Sequence, residues 1–219
     1  RRTSHDSARS PTNFKSRSVT RWLTAFAAAL VAGHTLAVFA DGSVLRRVIA
    51  FAGTNQVRVR CELALAPNHG VVELTGEIRH AKTGARLWQG PLGQTGGSPG
   101  EIPVVTHTIT GLQPELWSLV APTLYQLKVT AHQAGQNRDE HTVRFGFRSF
   151  EIRDGQFHLN GHPIFLRGVA INPPGRGIPA DVGESRQFAE DYVRFLKAQH
   201  LNIFRLSTDG SPVWFDVCD

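Results

Sequence analysis

Arg205 is the side chain in this sequence best placed to handle a carboxylate or a cluster of hydroxyls. It ends a short apolar run, Asn202–Leu206 (NIFRL), and is followed by Ser207, Thr208 and Asp209. A guanidinium presents a planar fork of donors, so Arg205 could hold a neighbouring carboxylate ionised or bind hydroxyls in pairs. The competing reading is a structural ion pair that closes the floor of a fold. Asn172 follows a second apolar run, Ile164–Ile171 (IFLRGVAI), and brings an amide donor and acceptor to an equivalent position. Asp209 has the chemistry of a general acid but no carboxylate partner beside it, so it reads as solvated or ligand-binding. No catalytic acid or nucleophile is assigned. The ten histidines are scattered with no CxxC or HExxH, so neither a metal nor a cofactor is expected. Cys61 and Cys218 stand far apart and read as small apolar side chains rather than a disulfide.

The elements that would carry these groups follow from periodicity. Ile164–Ile171 is nearly all apolar, as expected of a parallel strand buried on both faces. Between Glu184 and His200, Phe188, Tyr192, Phe195 and Leu196 recur at helical spacing, with Asp181 or Ser185 as the cap. Asn202–Leu206 gives a second strand, and Ser211–Asp219 (SPVWFDVCD) opens a second helix. A strand, a helix and a strand in this order form a βαβ unit, normally parallel and right-handed. If the unit begins a β/α barrel, its chemistry lies where the strands end. Asn172 then sits at the rim after the first strand, and Arg205, Ser207, Thr208 and Asp209 at the rim after the second.

The preceding region has a different rhythm. Val57, Val59, Cys61 and Leu63 alternate with polar residues, and further strands are expected over 71–80, 85–89, 102–109, 123–131 and 142–150. Gly93–Gly100 reads as loop by composition, and Gly135-Gln136-Asn137 as a turn. Short strands separated by turn residues point to an antiparallel sandwich of immunoglobulin type. A hairpin follows, turning at Asp154-Gly155, with Asn160-Gly161 suited to a type I′ turn.

The net charge of +6 is concentrated at one end. Residues 1–21 hold six basic side chains against Asp6 alone, and the rest is close to neutral, which removes any case for nucleic-acid binding. The leader is expected to be disordered. Trp22–Ala40 then runs for nineteen residues without a charged side chain. It reads as a secretory signal cleaved after Ala40, as a membrane anchor, or as a buried helix. The first two place the body outside the cytoplasm, as a periplasmic, cell-surface or secreted protein.

In wording and order, several stretches resemble the family 2 glycoside hydrolases, which include β-galactosidases and β-glucuronidases. LWSLVAPTLYQLKV (116–129) is similar to the family's signature before the last sandwich strands. FGFRSFEIRDGQFHLNGHPIFLRGV (145–169) resembles the junction of sandwich and catalytic barrel. Asn202, Arg205, Ser207 and Pro212 keep the outline of N-x-x-R-x-S-H-Y-P, with Thr208 and Asp209 in place of His and Tyr. The β-galactosidase-like G-V-N-R-H-E becomes Gly168-Val169-Ala170-Ile171-Asn172-Pro173, which removes its histidine and acid and leaves the sugar open.

The resemblance implies a mainly β then α/β chain: an immunoglobulin-like β-sandwich followed by the first βαβ unit of an incomplete (β/α)8 barrel. The expected domains are a leader (1–21), a signal or anchor (22–40), a linker (41–55), the sandwich (56–150), a connecting hairpin (151–163) and the barrel start (164–219). It also implies a retaining glycosidase whose two glutamates lie beyond Asp219, a carbohydrate substrate contacted by Arg205, Asn172 and Asp209, and Trp117 and Tyr125 as core or interface aromatics. The family's usual N-terminal jelly-roll domain has no room before residue 56. The alternative function is a non-catalytic, exported carbohydrate- or protein-binding module.

Overall fold

Strict alternation turns the first half of the chain into two facing sheets. The computed structural model describes residues 44–65, 70–95, 102–171, 177–206 and 211–219. Its first seven strands are β1 (Leu45–Ala52), β2 (Val57–Leu63), β3 (Val72–His80), β4 (Arg86–Thr95), β5 (Val104–Ile109), β6 (Tyr125–Gln133) and β7 (Gln136–Phe145). One sheet has the order β1-β2-β5 and the other β4-β3-β6-β7, all antiparallel. Val57, Val59, Cys61 and Leu63 of β2 point inward, and Tyr125, Leu127, Val129 and Ala131 of β6 meet them from the opposite sheet. This is the expected immunoglobulin-like sandwich.

Three sequence expectations need correction here. The stretch 41–55, expected to be a linker, contains β1, which pairs with β2 from Leu45 to Ala52. Its alternation is broken by a bulge between Leu45 and Arg47, and that irregularity hides the strand. Asp139 on β7 fastens its start, accepting hydrogen bonds from the backbone N–H of Val44 at 2.8 Å and of Leu45 at 2.7 Å. Strand β4, expected over 85–89, runs on through Pro91 to Thr95, into the stretch from Gly93 where a loop was expected. It lies at a sheet edge, where a proline need not donate, and Gly93 takes a φ of 124° that suits a bulge. The last sandwich strand begins at Gln136 and ends at Phe145, because the turn is made by Ala134 and Gly135, with φ of 51° and 74°.

The hairpin region forms a small sheet of β8 (Phe150–Arg153), β9 (Gln156–Leu159) and β10 (His162–Pro163). Asp154-Gly155 and Asn160-Gly161 both take positive φ at the two turn positions, the requirement of a type I′ turn. The Asn160 side chain also fastens the hairpin to the sandwich. Its Oδ1 accepts from the Ser149 N–H at 3.0 Å and its Nδ2 donates to the Trp117 carbonyl at 2.9 Å.

The remainder is the βαβ unit: β11 (Gly168–Ile171), α1 (Ala180–Gly183), α2 (Arg186–Ala198), β12 (Ile203–Leu206) and α3 (Pro212–Cys218). Strands β11 and β12 are parallel. Ser185 caps α2, its Oγ accepting from the Phe188 N–H at 3.2 Å, and Ser211 caps α3 with Pro212 in the first turn. A second core gathers Ile171, Ala189 and Trp214, with Phe188, Tyr192 and Phe204 around them. Strand β11 is shorter than the expected 164–171 and is not buried on both faces; Gly168, Val169 and Ala170 are exposed. Among the described residues, β12 borders only one of its edges and the helices cover only one side. The expected leader and apolar run (1–40) lie outside the described residues. Among the described residues no helix is long and apolar enough to cross a membrane.

Candidate functional site

Period-two geometry decides which way Arg205 faces. In β12, Phe204 and Leu206 pack with the helix-side core, whereas Ile203 and Arg205 are exposed on the other face. Register places Arg205 beside Ala170 and Leu206 beside Ile171. Arg205 therefore stands near the carboxyl ends of both strands, on the face that the helices do not cover. Among the described residues it has no ion-pair partner, so the structure supplies no closing ion pair for it. Asn172 and Asp209, with Ser207 and Thr208, lie outside the described residues.

Two close contacts hold the strands in this register. A Cβ on Gly168 would collide with the Ile203 carbonyl oxygen and sit 2.6 Å from its Cγ2, so only glycine permits this approach. Asn202 is consumed by structure: its Oδ1 accepts from the Arg167 N–H at 2.8 Å and its Nδ2 donates to the Phe165 carbonyl at 2.9 Å. Sequence alone did not distinguish this stitch from a ligand contact.

The three glutamates past the sandwich are not at strand ends. Glu151 lies within β8, paired with Arg153, Glu184 follows α1, and Glu190 is within α2, paired with Arg186. The carboxyls held below the usual range lie elsewhere too. Hydrogen bonds depress Glu77 (from Arg79), Glu140 (from Lys128 and Asn137) and Asp191 (from Gln187 and Arg194). Among the described residues no group of three His, Cys, Asp or Glu could hold a metal ion.

The aromatic residues of 116–129 are structural. Tyr125 is buried at the start of β6, and its hydroxyl accepts from the Glu115 N–H at 2.9 Å, the bond of a tyrosine corner. Burial raises the pKa of its phenol. Trp117 is half-buried beneath the Arg148 guanidinium, 4.9 Å from the ring centre. Both thiols are free, but Cys218 is exposed rather than buried, because α3 turns it away from the second core.

A cleft of about 890 Å3 opens between Trp117, Leu119 and Arg148 on the sandwich side and Leu201, Ile203 and Trp214 on the other. Arg167, before β11, and Asn202, Ile203, Phe204 and Leu206, along β12, line it, and Arg205 does not border it. The cleft therefore follows β12 along its length without including the Arg205 side chain.

Residues 51–148 match the family model for glycosyl hydrolases family 2. A beta-galactosidase of Leuconostoc mesenteroides is 32% identical over 107 residues, which is 48% of this chain and 10% of that protein. A solved glycosyl hydrolase family 2 member from Bacteroides cellulosilyticus superposes with a TM-score of 0.68 at 25% identity, covering 80% of this chain and 23% of that one. Beta-glucuronidase 2 of Bacteroides uniformis shares the fold at a TM-score of 0.64 and 23% identity, covering 81% of this chain and 22% of that one. The chain thus spans 10% of the curated relative and under a quarter of these solved chains. Likeness over 80% of the chain is more than the sandwich alone can supply, so it continues into the βαβ unit. The stretch from 51 to 148 is therefore similar to a domain of glycosyl hydrolases family 2.

Proposed function

We propose that this chain is the sandwich and first βαβ unit of an exported, retaining glycoside hydrolase that cleaves O-glycosyl bonds. The observation that carries the reading is the position of Arg205 on the helix-free face at the carboxyl end of β12, in a chain with a stretch similar to a family 2 domain. In such a reaction one carboxylate attacks the anomeric carbon while a second carboxylic acid protonates the leaving oxygen and then activates water. Neither group is assigned to the described residues; both glutamates are expected beyond Asp219. Arg205 would hold one of them ionised or bind substrate hydroxyls, with Asn172 and Asp209 contacting the sugar. Export rests on the basic leader and the uncharged run 22–40.

The second reading is a non-catalytic, exported binding module. It is favoured by the lack of paired carboxylates at the strand ends among the described residues. The test is hydrolysis of a panel of aryl β-glycosides by the complete natural gene product and by the 219-residue chain. The glycosidase reading expects turnover by the former only, abolished when a downstream glutamate is changed to glutamine. No turnover by either, with retained sugar binding, would favour the module.

A further inference from the structure

The sandwich and the βαβ unit have separate apolar cores and face each other across the cleft. Side-chain stitches divide the chain between them. Asn160 binds the hairpin to Ser149 and Trp117 of the sandwich side, and the Ile164 N–H donates to the Phe157 carbonyl at 2.8 Å, so Ile164 moves with the hairpin. Asn202 takes the Phe165 carbonyl and the Arg167 N–H, so those residues move with the βαβ unit. The join between the two bodies falls between Ile164 and Phe165.

Away from that join, charge crosses the gap. Nη2 of Arg144, on β7, lies 3.1 Å from Asp216 Oδ1, donates to the Asp216 carbonyl at 3.2 Å and reaches Asp219 Oδ2 at 3.6 Å. The second carboxylate oxygen of Asp216 lies 3.6 Å from Nη2 of Arg186 on α2, and Arg186 also reaches Glu190 at 3.3 Å. Asp216 therefore ties the sandwich to α3 and α3 to α2 through one carboxylate.

We propose that Arg144, Asp216 and Arg186 form a salt-sensitive latch that fixes the βαβ unit against the sandwich about a pivot at Ile164–Phe165. The inference does not depend on the glycosidase reading. The three side chains are 38%, 52% and 55% exposed. Exposed pairs shift an equilibrium by up to about five-fold each, so the latch biases one orientation and does not freeze it. Added salt weakens it, because the screening length falls to about 3 Å at about 1 M. Its consequence is positional: the angle it sets decides where the strand ends bearing Arg205 stand relative to the sandwich.

The experiment measures the distance between spin labels at Gln136→Cys and Ala198→Cys in the full chain with Cys218→Ser; buried Cys61 stays unlabelled. At about 50 mM salt the distribution should be narrow, and it should widen at least about two-fold at about 1 M. Asp216→Asn should be wide at both salts, Arg186→Gln intermediate, and Asp216→Glu narrow again at low salt. An unchanged distribution in Asp216→Asn, or no response of the parent to salt, would overturn the latch. Circular dichroism on the same samples checks that each variant is folded; a variant that loses its fold counts against the proposal, since a surface latch is dispensable for either core.

Discussion

The sandwich buries most of its inward face, and the βαβ unit leaves one of its faces open. In β2 and over Val72–Ile78 of β3 and Tyr125–Ala131 of β6 the inward residues are buried, and Val57, Val72, Ile78, Leu127 and Val129 have no exposed surface. In β11 and β12 the helix side is covered while Gly168, Val169, Ala170, Ile203 and Arg205 stand in the open. One region is built to be stable, and the other presents a guanidinium that stability does not require. The contrast separates scaffold from candidate chemistry, and each experiment below would break it or sharpen it.

The largest expected effect is a difference in thiol reactivity. Cys61 lies in the sandwich core, where burial pushes its thiol up to about 11. Cys218 is exposed on α3; its pKa is also raised, by partial burial first and the Asp219 charge second, but its sulfur can be reached. At about pH 8 a disulfide reagent should modify one thiol per folded chain, and the second only in denaturant, because exposed thiolate is what reacts. Two thiols reacting in the folded chain would mean that the sandwich opens as freely as the βαβ unit.

Core truncation comes next. Leu127→Ala removes a fully buried side chain between the sheets and should cost about 2–5 kcal/mol in guanidinium unfolding. A loss below about 1 kcal/mol would show that the sandwich can repack, against the close fit of its buried residues. Gly168→Ala probes the other region. Its methyl group would meet the Ile203 backbone, so the strands must part, at about 1–3 kcal/mol. Limited proteolysis should then remove 164–219 faster than in the parent while a sandwich fragment persists. Equal loss of both would show that the two regions unfold as one.

A matched pair compares single hydrogen bonds. Tyr125→Phe deletes the bond to the Glu115 N–H in the sandwich, and Ser185→Ala deletes the cap of α2. Each should cost about 1 kcal/mol. Thermal melting of the Tyr125 variant should lower the sandwich transition, and that of the Ser185 variant the helical signal. The reverse assignment would break the division.

Strong local chemistry was readable from the residues alone. The alternation of β2, a cap at Asp181 or Ser185 (the structure uses Ser185), the type I′ pair Asn160-Gly161 and the βαβ order all appear in the sequence because each rests on a few adjacent side chains. What was missed depends on partners far along the chain. Strand β1 has its alternation broken by a bulge, and its start is fixed by Asp139, ninety-four residues from Leu45. The end of strand β4, from Gly93, looks like a loop because only its place at a sheet edge makes Pro91 and Gly93 tolerable. Asn202 matched a motif, but its role in joining Phe165 to Arg167 is visible only once the two strands lie side by side.

Arg205 is the residue on which the comparison turns, and its expected effect on stability is the smallest. Its side chain is exposed, and among the described residues it forms no ion pair. Surface substitutions away from caps and buried networks usually stay within about 0.5 kcal/mol. Arg205→Ala in the 219-residue chain should therefore leave the unfolding midpoint where it was. In the complete gene product, if the glycosidase reading holds, the same change should reduce kcat/KM by about ten-fold or more, the worth of a charge-assisted hydrogen bond at about 1.5–3 kcal/mol. Arg205→Lys separates the two roles offered for the guanidinium. Lysine keeps the charge and loses the planar fork, so recovery of activity would favour holding a carboxylate ionised. Persistent loss would favour paired hydrogen bonds to substrate hydroxyls. A large drop in stability with Arg205→Ala would instead return the residue to the scaffold and leave the open face of β12 without its candidate.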